Sequence, residues 1–353
     1  MKKGRIFLFC LLLVLLTGCG EPDVTDEIKI GEIDNGMSLM EEYIALPGES
    51  TREKGVGKME RAVSFYMNET GRPEILYANI NLEDGTYYET EFYTADIQNG
   101  EWNIKSCPWS DMVDFFNDTG EGLFSVSVDA DTGIYYALKY IYNGDTNSSE
   151  RIDSMYEYQL LRINPKEEEV EDISTGDFYS NVTREPKGVV PSMQFCAGDG
   201  TAAVLFSNGR LSVFNLDKRK KVSDIETAAG SFVIDENFVY IVVNNKIALF
   251  GKRSGEQEGE IALPEGLEGD SKLFLGKEGQ IYLVGHIGVY ACYDTADGFV
   301  QILDGKKYPV LNAPSNYIQG FVAVNDSDFY IDYWNETDAS EPEKMYHYYL
   351  EEN

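Results

Sequence analysis

The chain has 353 residues, of which 61 are acidic and 29 basic, so its formal net charge at pH 7 is −32. Such an excess of acid excludes binding to nucleic acid or to anionic lipid through the protein surface, because both require clustered Lys and Arg. Hydrophobic residues make up 43% of the chain. That fraction is sufficient for a core, so the charge indicates an acidic surface rather than a disordered chain.

The first nineteen residues have the pattern of a secretory signal. Three basic residues lie among the first five, residues 6–16 are apolar, and the sequence LTGC occupies positions 16–19. The apolar run is shorter than the about 20 residues that a membrane-spanning helix needs. A cleaved signal peptide is therefore expected at residues 1–18.

The LTGC sequence resembles the lipobox of bacterial lipoproteins. This resemblance implies that a diacylglyceryl group is attached to Cys19 and that Cys19 becomes the N-terminus after cleavage. It also implies an extracytoplasmic protein that is anchored to the bacterial cell membrane by its lipid, with a formal charge of −35 after three basic residues are removed. The alternative is an ordinary secretory signal, in which Cys19 is incidental.

The mature chain is predicted to begin with a polar, acidic tether at residues 19–38, followed by one folded domain at residues 39–353. Three cysteines lie in that domain, Cys107, Cys196 and Cys292. They are isolated and form no C-x-x-C pair, which argues against a disulfide framework and against the usual zinc and redox spacings. Cys196 and Cys292 are interpreted as small buried residues.

Short segments rich in Val, Ile, Phe and Tyr then alternate with turn residues, which predicts strands. One pattern recurs: an apolar strand, an acidic or glycine-containing turn, and a second apolar strand that usually carries Tyr. Its copies are residues 65–77, 126–136, 195–205, 232–241, 273–283 and 322–331. Two further strands tend to follow each copy. The single helix candidate is Trp109–Asn117.

The turn residue of each copy gives the spacing of the repeat. These residues are Gly71, Gly133, Gly200, Asn237, Gly279 and Ser327, at intervals of 62, 67, 37, 42 and 48. Four-stranded units of about 40–50 residues are typical of β-propeller blades. The first two intervals are longer than a bare blade, and polar, turn-rich surface loops are predicted at 143–153 and 176–190. We therefore expect an all-β fold with one six-bladed propeller, with seven blades as the alternative.

The last copy supplies three strands. A fourth is predicted from Glu42–Pro47 near the N-terminus, and this pairing would close the ring and remove exposed strand edges. The repeat resembles the degenerate units of quinoprotein-like and NHL-like bacterial propellers over about residues 60–350. A lipobox followed by an acidic propeller is also similar to the N-terminal region of clostridial-type surface lipoproteins. Neither resemblance implies a particular ligand.

No catalytic motif is recognisable in the sequence. The two histidines, His286 and His347, lie in different repeats, and no nucleophile elbow, P-loop or dinucleotide fingerprint is present. Asp129 and Asp131 begin an acidic loop that could bind calcium irregularly, but Tyr140 stands where an EF-hand needs Glu. The alternative role for both aspartates is turn formation. No cofactor is predicted.

The sequence favours a non-catalytic propeller that binds a protein partner or an extracellular ligand such as a glycan. The alternatives are a glycoside hydrolase or lyase acting in the propeller funnel, and a structural accessory of a transport or envelope complex. Trp102, Trp109 and Trp334 could stack on sugars. The alternation of Tyr346, Tyr348 and Leu350 instead favours the buried face of a strand.

Overall fold

The computed structural model shows an all-β chain, as the sequence predicts. The residues described are 27–33, 37–44, 58–68, 70–83, 86–98, 101–107, 109, 111–113, 122–129, 132–142, 156–174, 191–196, 200–206, 209–227, 230–267, 271–305, 316–335 and 344–352. In these ranges the regular elements are β-strands. Among the same residues, none forms a helix with the length and apolar character that crossing a membrane requires.

The strands form six antiparallel sheets, numbered here as blades 1 to 6. The N-terminal strands are β1 (Glu27–Ile33) and β2 (Met37–Ile44). Blade 1 consists of β3 (Lys58–Met67), β4 (Pro73–Glu83), β5 (Thr86–Gln98) and β6 (Glu101–Ser106). Blade 2 consists of β7 (Gly122–Asp129), β8 (Ile134–Tyr142), β9 (Tyr156–Asn164) and β10 (Glu169–Asp172).

Blade 3 consists of β11 (Pro191–Cys196), β12 (Thr201–Phe206), β13 (Arg210–Asn215) and β14 (Lys220–Glu226). Blade 4 consists of β15 (Phe232–Ile234), β16 (Phe238–Val243), β17 (Lys246–Gly251) and β18 (Gln257–Ala262). Blade 5 consists of β19 (Lys272–Leu275), β20 (Ile281–Gly285), β21 (Gly288–Cys292) and β22 (Val300–Asp304). Blade 6 contains β23 (Asn316–Asn325), β24 (Asp328–Asn335) and β25 (Lys344–Glu352).

The first strands of the blades form a closed ring. In sequence order β3, β7, β11, β15, β19 and β23 each contact the next, and β23 contacts β3 again. The described residues also form six hydrophobic clusters, each drawn from two adjacent blades. A single four-stranded sheet cannot bury both of its faces. When six such sheets pack in a ring, each sheet covers the faces of its neighbours. The prediction of six blades is confirmed.

The ring is closed by the N-terminal strand β2, which adds to β25 in blade 6. This confirms the predicted closure, with the strand at Met37–Ile44 rather than Glu42–Pro47. Strand β1 then pairs with β2 as a fifth strand, although it lies in the segment 19–38 that composition assigned to a tether. Its sequence EIKIGEI alternates largely in apolar and polar residues, which suits a strand. Cys19 lies outside the described residues.

The turn residues that marked the repeat have conformations that explain their identity. Gly71, Gly133, Gly200 and Gly279 have φ between 66° and 86°, a region that other residues rarely adopt. In the two turns without glycine, an Asx side chain accepts backbone N–H groups instead. For example, Asp235 Oδ1 accepts from Asn237 N at 2.7 Å.

The helix candidate at Trp109–Asn117 is not confirmed in its described part. Residues 109 and 111–113 form a turn in which Met112 N donates to Trp109 O at 2.9 Å. Trp109 is fully buried, with its ring centroid 5.3 Å from that of Phe92 and 5.6 Å from that of Tyr135. The apolar residues of this segment therefore fill the junction of blades 1 and 2 rather than one side of a helix.

Candidate functional site

The two ends of the ring carry different connections. Because adjacent strands are antiparallel, the links from first to second and from third to fourth strand lie at one end of each blade. We call this end the turn face, and the opposite end the loop face. The first turns converge on the axis: Lys277 Nζ of blade 5 lies 3.9 Å from where a Cβ atom on Gly71 of blade 1 would stand.

Acidic side chains dominate the described first turns of the turn face. They are Asp129, Asp235, Glu236, Glu278 and Asp326, accompanied by the cations Arg72 and Lys277. Carboxylates gathered at one mouth of a ring produce a negative potential that attracts cationic groups. The first turns of blades 4, 5 and 6 are therefore suited to contact with a basic surface.

Two of these carboxylates are held by tyrosines of second strands. Tyr240 Oη donates to Asp235 Oδ2 at 2.7 Å, and Tyr282 Oη of blade 5 donates to Asp326 Oδ1 of blade 6 at 2.9 Å. Burial raises the pKa of both tyrosines above the ordinary range, and the neighbouring aspartates add to the rise. The tyrosines therefore stay neutral donors and fix the turns in place.

Exposed apolar side chains are concentrated at the turn-face end of blades 5 and 6. The described chain has six large hydrophobic residues that are well exposed, and four of them lie here, with exposed fractions between 38% and 57%. They are Leu275 at the end of β19, Tyr293 after β21, Val300 at the start of β22 and Val324 near the end of β23. These apolar groups stand beside acidic turns, so this end of the molecule is the candidate protein-contact surface.

The calcium candidate Asp129 lies at the end of β7, where its carbonyl accepts from Gly133 N at 2.7 Å. This backbone bond supports the turn-forming role. Asp131 lies outside the described residues. Within the described ranges, no group of three or more His, Cys, Asp or Glu side chains could hold a metal ion.

The two histidines lie in different blades, as predicted. His286 is exposed in the turn between β20 and β21. His347 lies in β25 between two rings, with centroid distances of 4.1 Å to Tyr330 and 4.7 Å to Tyr349.

Both ring nitrogens of His347 face carboxylates. Its Nε2 is 2.8 Å from Asp328 Oδ1, and its Nδ1 is 3.4 Å from Glu42 Oε2. Sequence analysis missed this arrangement, because Glu42 and His347 are 305 positions apart. Only the register of β2 against β25 makes them neighbours.

The remaining candidates belong to the core. Tyr346, Tyr348 and Leu350 lie in or against one cluster between blades 5 and 6, which confirms the interpretation of a buried strand face. Trp109 is buried, and the side chain of Trp334 lies outside the description. Cys107 and Cys292 are buried.

The environment of Cys292 keeps its thiol protonated. Burial raises the pKa of this thiol, and Asp294 and Asp297 raise it further. Because the thiolate is the reactive form, these surroundings do not activate Cys292 as a nucleophile.

Comparisons with known proteins concern the fold. No protein-family model matches the chain, and no curated protein matches it. Among solved structures it is similar to a chain in the crystal structure of the mitotic checkpoint complex, with 7% identity, coverage of 78% of this chain and 77% of that chain, and a TM-score of 0.43.

Two further solved structures are similar to a comparable degree. The C-terminal WD40 domain of Sif2 has 11% identity, coverage of 80% and 72%, and a TM-score of 0.41. U3-55K has 8% identity, coverage of 80% and 76%, and a TM-score of 0.42. The likeness extends no further than the fold.

Proposed function

We propose that this protein is a lipid-anchored, extracytoplasmic propeller that binds a protein partner at its turn face without catalysis. The observation that carries the proposal is the coincidence of exposed apolar side chains and acidic first turns at that end of blades 5 and 6. Such a surface complements a partner with apolar contact residues in a basic surround. The partner is therefore a protein with a cationic, partly apolar contact surface.

The position of β1 supports an outward orientation of this surface. Glu27 pairs with Glu42, so β1 begins toward the loop-face end of blade 6. Cys19 precedes Glu27 by eight positions, a span of at most about 29 Å when fully extended. A lipid on Cys19 would join the ring at the loop-face end of β1, which favours an orientation in which the turn face is directed away from the bilayer.

The binding proposal is tested by capture from the native envelope, comparing matched surface variants. The turn-face variant carries Tyr293→Ser and Val300→Ser. The control carries Ile104→Ser and Val222→Ser, which remove exposed apolar side chains from the outer strands β6 and β14. A partner that the wild type and the control capture but the turn-face variant loses supports the proposal, and equal loss in both variants contradicts it.

The chemistry of the partner is tested separately by salt. Attraction between a basic partner and the acidic turns weakens as ionic strength rises, because the Debye length falls from about 10 Å at 0.1 M to about 3 Å at 1 M. Capture that is unchanged by salt would contradict a cationic partner.

Small ligands are tested by thermal unfolding of the full chain in detergent with calcium, EDTA and a glycan panel. A ligand at 100 times its dissociation constant stabilises the native state by about 2.7 kcal/mol. A glycan that raises the midpoint would favour the sugar-binding or glycoside-cleaving alternatives, and product analysis would then separate those two. The sample must include β1 and β2, since both belong to the closing blade.

The anchor is tested on the mature protein by mass spectrometry. An N-terminal peptide that begins at Cys19 and carries acyl chains is expected, and Cys19→Ala should abolish the lipid and release the protein from the membrane fraction. An unmodified N-terminus at another position would contradict lipid anchoring while leaving the proposal of a binding surface intact.

A further inference from the structure

The seam that closes the ring places two adjacent carboxylates on opposite faces of one strand. Strand β2 pairs with β25 from Met37↔Glu352 to Ile44↔Met345. In this register Glu41 lies opposite Tyr348, and Glu42 lies opposite His347. Successive side chains of a strand point to opposite faces, so Glu41 faces blade 5 and Glu42 faces blade 1.

Glu41 lies in an aromatic environment, with 8% of its surface exposed. The titratable groups around it are Tyr346 and Tyr348 of β25 and Tyr333 of β24, and blade 5 adds Tyr282 to the same cluster. Its Oε2 atom is buried without a hydrogen-bond partner. Burial raises the pKa of Glu41, and the hydroxyl of Tyr348 offsets only part of the rise. An ionised Glu41 therefore weakens the seam.

His347 is placed so that its protonated form is bound on both sides. A neutral imidazole has one N–H donor, so one of its nitrogens must present a lone pair to either Glu42 or Asp328. The imidazolium donates to both. The other titratable groups that face it are Tyr330 and Tyr349, and the cluster that contains Tyr330 includes Tyr77 and Tyr93 of blade 1.

We propose that the β2–β25 seam is a proton-dependent latch that holds the ring closed more tightly when Glu41 is protonated than when it is ionised. A carboxyl group whose folded pKa is raised stabilises the fold below its unfolded pKa, and this contribution is lost as the pH rises through the folded value.

The latch is tested by hydrogen exchange of the full chain in detergent at pH 8 and pH 4.5, with intrinsic rates corrected for pH. Peptides from 37–44 and 344–352 report on the seam, and a peptide from 238–251 in blade 4 is the internal reference. We expect the seam to gain protection relative to the reference at pH 4.5. A seam that changes no more than blade 4 overturns the proposal.

Variants separate the two groups. Glu41→Gln should raise seam protection at pH 8 and reduce its pH dependence, whereas His347→Gln should lower seam protection at both pH values, because it removes the contacts to Glu42 and Asp328. The matched controls are His286→Gln and Glu265→Gln, both at exposed turn positions, which should behave as wild type. If Glu41→Gln retains the full wild-type pH dependence of seam protection, the latch is wrong.

Discussion

Tyr240 and Asp235 join the second strand of blade 4 to the turn that precedes it. Tyr240 Oη donates to Asp235 Oδ2 at 2.7 Å, while Asp235 Oδ1 accepts the N–H groups of Asn237 and Phe238 at 2.7 Å. One carboxylate thus fixes both the turn and the strand. The tyrosine of the sequence repeat has a structural role here, because it orients a turn of the turn face.

Tyr240→Phe should destabilise the protein by about 1–2 kcal/mol, since it removes a hydrogen bond to a charged group that water can partly replace. Urea denaturation at pH 7 measures the loss. Tyr293→Phe is the control, because Tyr293 is exposed and should behave as wild type. If Tyr240→Phe is as stable as wild type, the hydrogen bond from Tyr240 to Asp235 makes no net contribution to the free energy of unfolding.

Asp96→Asn should destabilise the protein by about 2–3 kcal/mol at pH 7. Asp96 is 2% exposed and accepts from Gln98 Nε2 and Asn103 Nδ2, both at 2.8 Å, with Lys105 Nζ at 3.1 Å. Burial alone would raise the pKa of Asp96, but the bonds from Gln98, Lys105 and Asn103 together hold it below its usual value.

The same shift predicts a pH dependence. A carboxylate with a lowered folded pKa stabilises the fold above the unfolded value of about 3.9, and the contribution is lost as the pH falls through the folded pKa. The difference between wild type and Asp96→Asn should therefore shrink at pH 3, as measured by denaturation at both pH values. The stability of the exposed control Glu278→Gln should differ little from wild type at either pH. A stability difference between wild type and Asp96→Asn that is undiminished at pH 3 would contradict the charge-based explanation.

Gly288→Ala should be far more damaging than Gly279→Ala. Both glycines have positive φ, 150° and 86°, but a Cβ on Gly288 would lie 2.2 Å from Leu303 O, whereas Gly279 has open space around it. Gly279→Ala carries backbone strain alone and should cost about 1–2 kcal/mol. Gly288→Ala adds a backbone clash and should exceed that cost. Thermal unfolding measures the stability of both variants. Equal losses of stability would contradict the packing described around β21 and β22.

Trp109→Ala should cost about 3–5 kcal/mol, because a fully buried ring between blades 1 and 2 would be replaced by a cavity. Trp109→Phe should cost less, since it keeps a ring and removes a buried Nε1 that lacks a hydrogen-bond partner. Trp102→Ala, at a partly buried position, is the comparison. If denaturation curves show Trp102→Ala to be the least stable of the three variants, Trp109 does not have the central role in the core described here.

Much of the fold could be predicted because its signals are local. The turn glycines recur because four of the first turns place a glycine at positive φ, as at Gly71 and Gly133, and strand periodicity marks the segments between the turns. The helix expected at Trp109–Asn117 failed in its described part because apolar spacing does not distinguish a short helix from a turn that fills an inter-blade junction.

The candidate sites were less accessible to sequence reasoning. The concentration of exposed side chains at Leu275 and Tyr293 depends on which residues the neighbouring blades leave uncovered, and one sequence does not record that. The lipid on Cys19 stays a prediction that rests on the LTGC pattern alone.

The sequence by itself determined an acidic, all-β chain whose repeats build six blades and whose N-terminal segment supplies the missing strand. These properties follow from composition, strand alternation and turn chemistry, which act within a few residues. Only the tertiary structure decided that Glu41 meets Tyr348 and that Glu42 meets His347. The register of two strands from opposite ends of the chain sets those contacts, and a shift of one residue would turn each side chain to the other face.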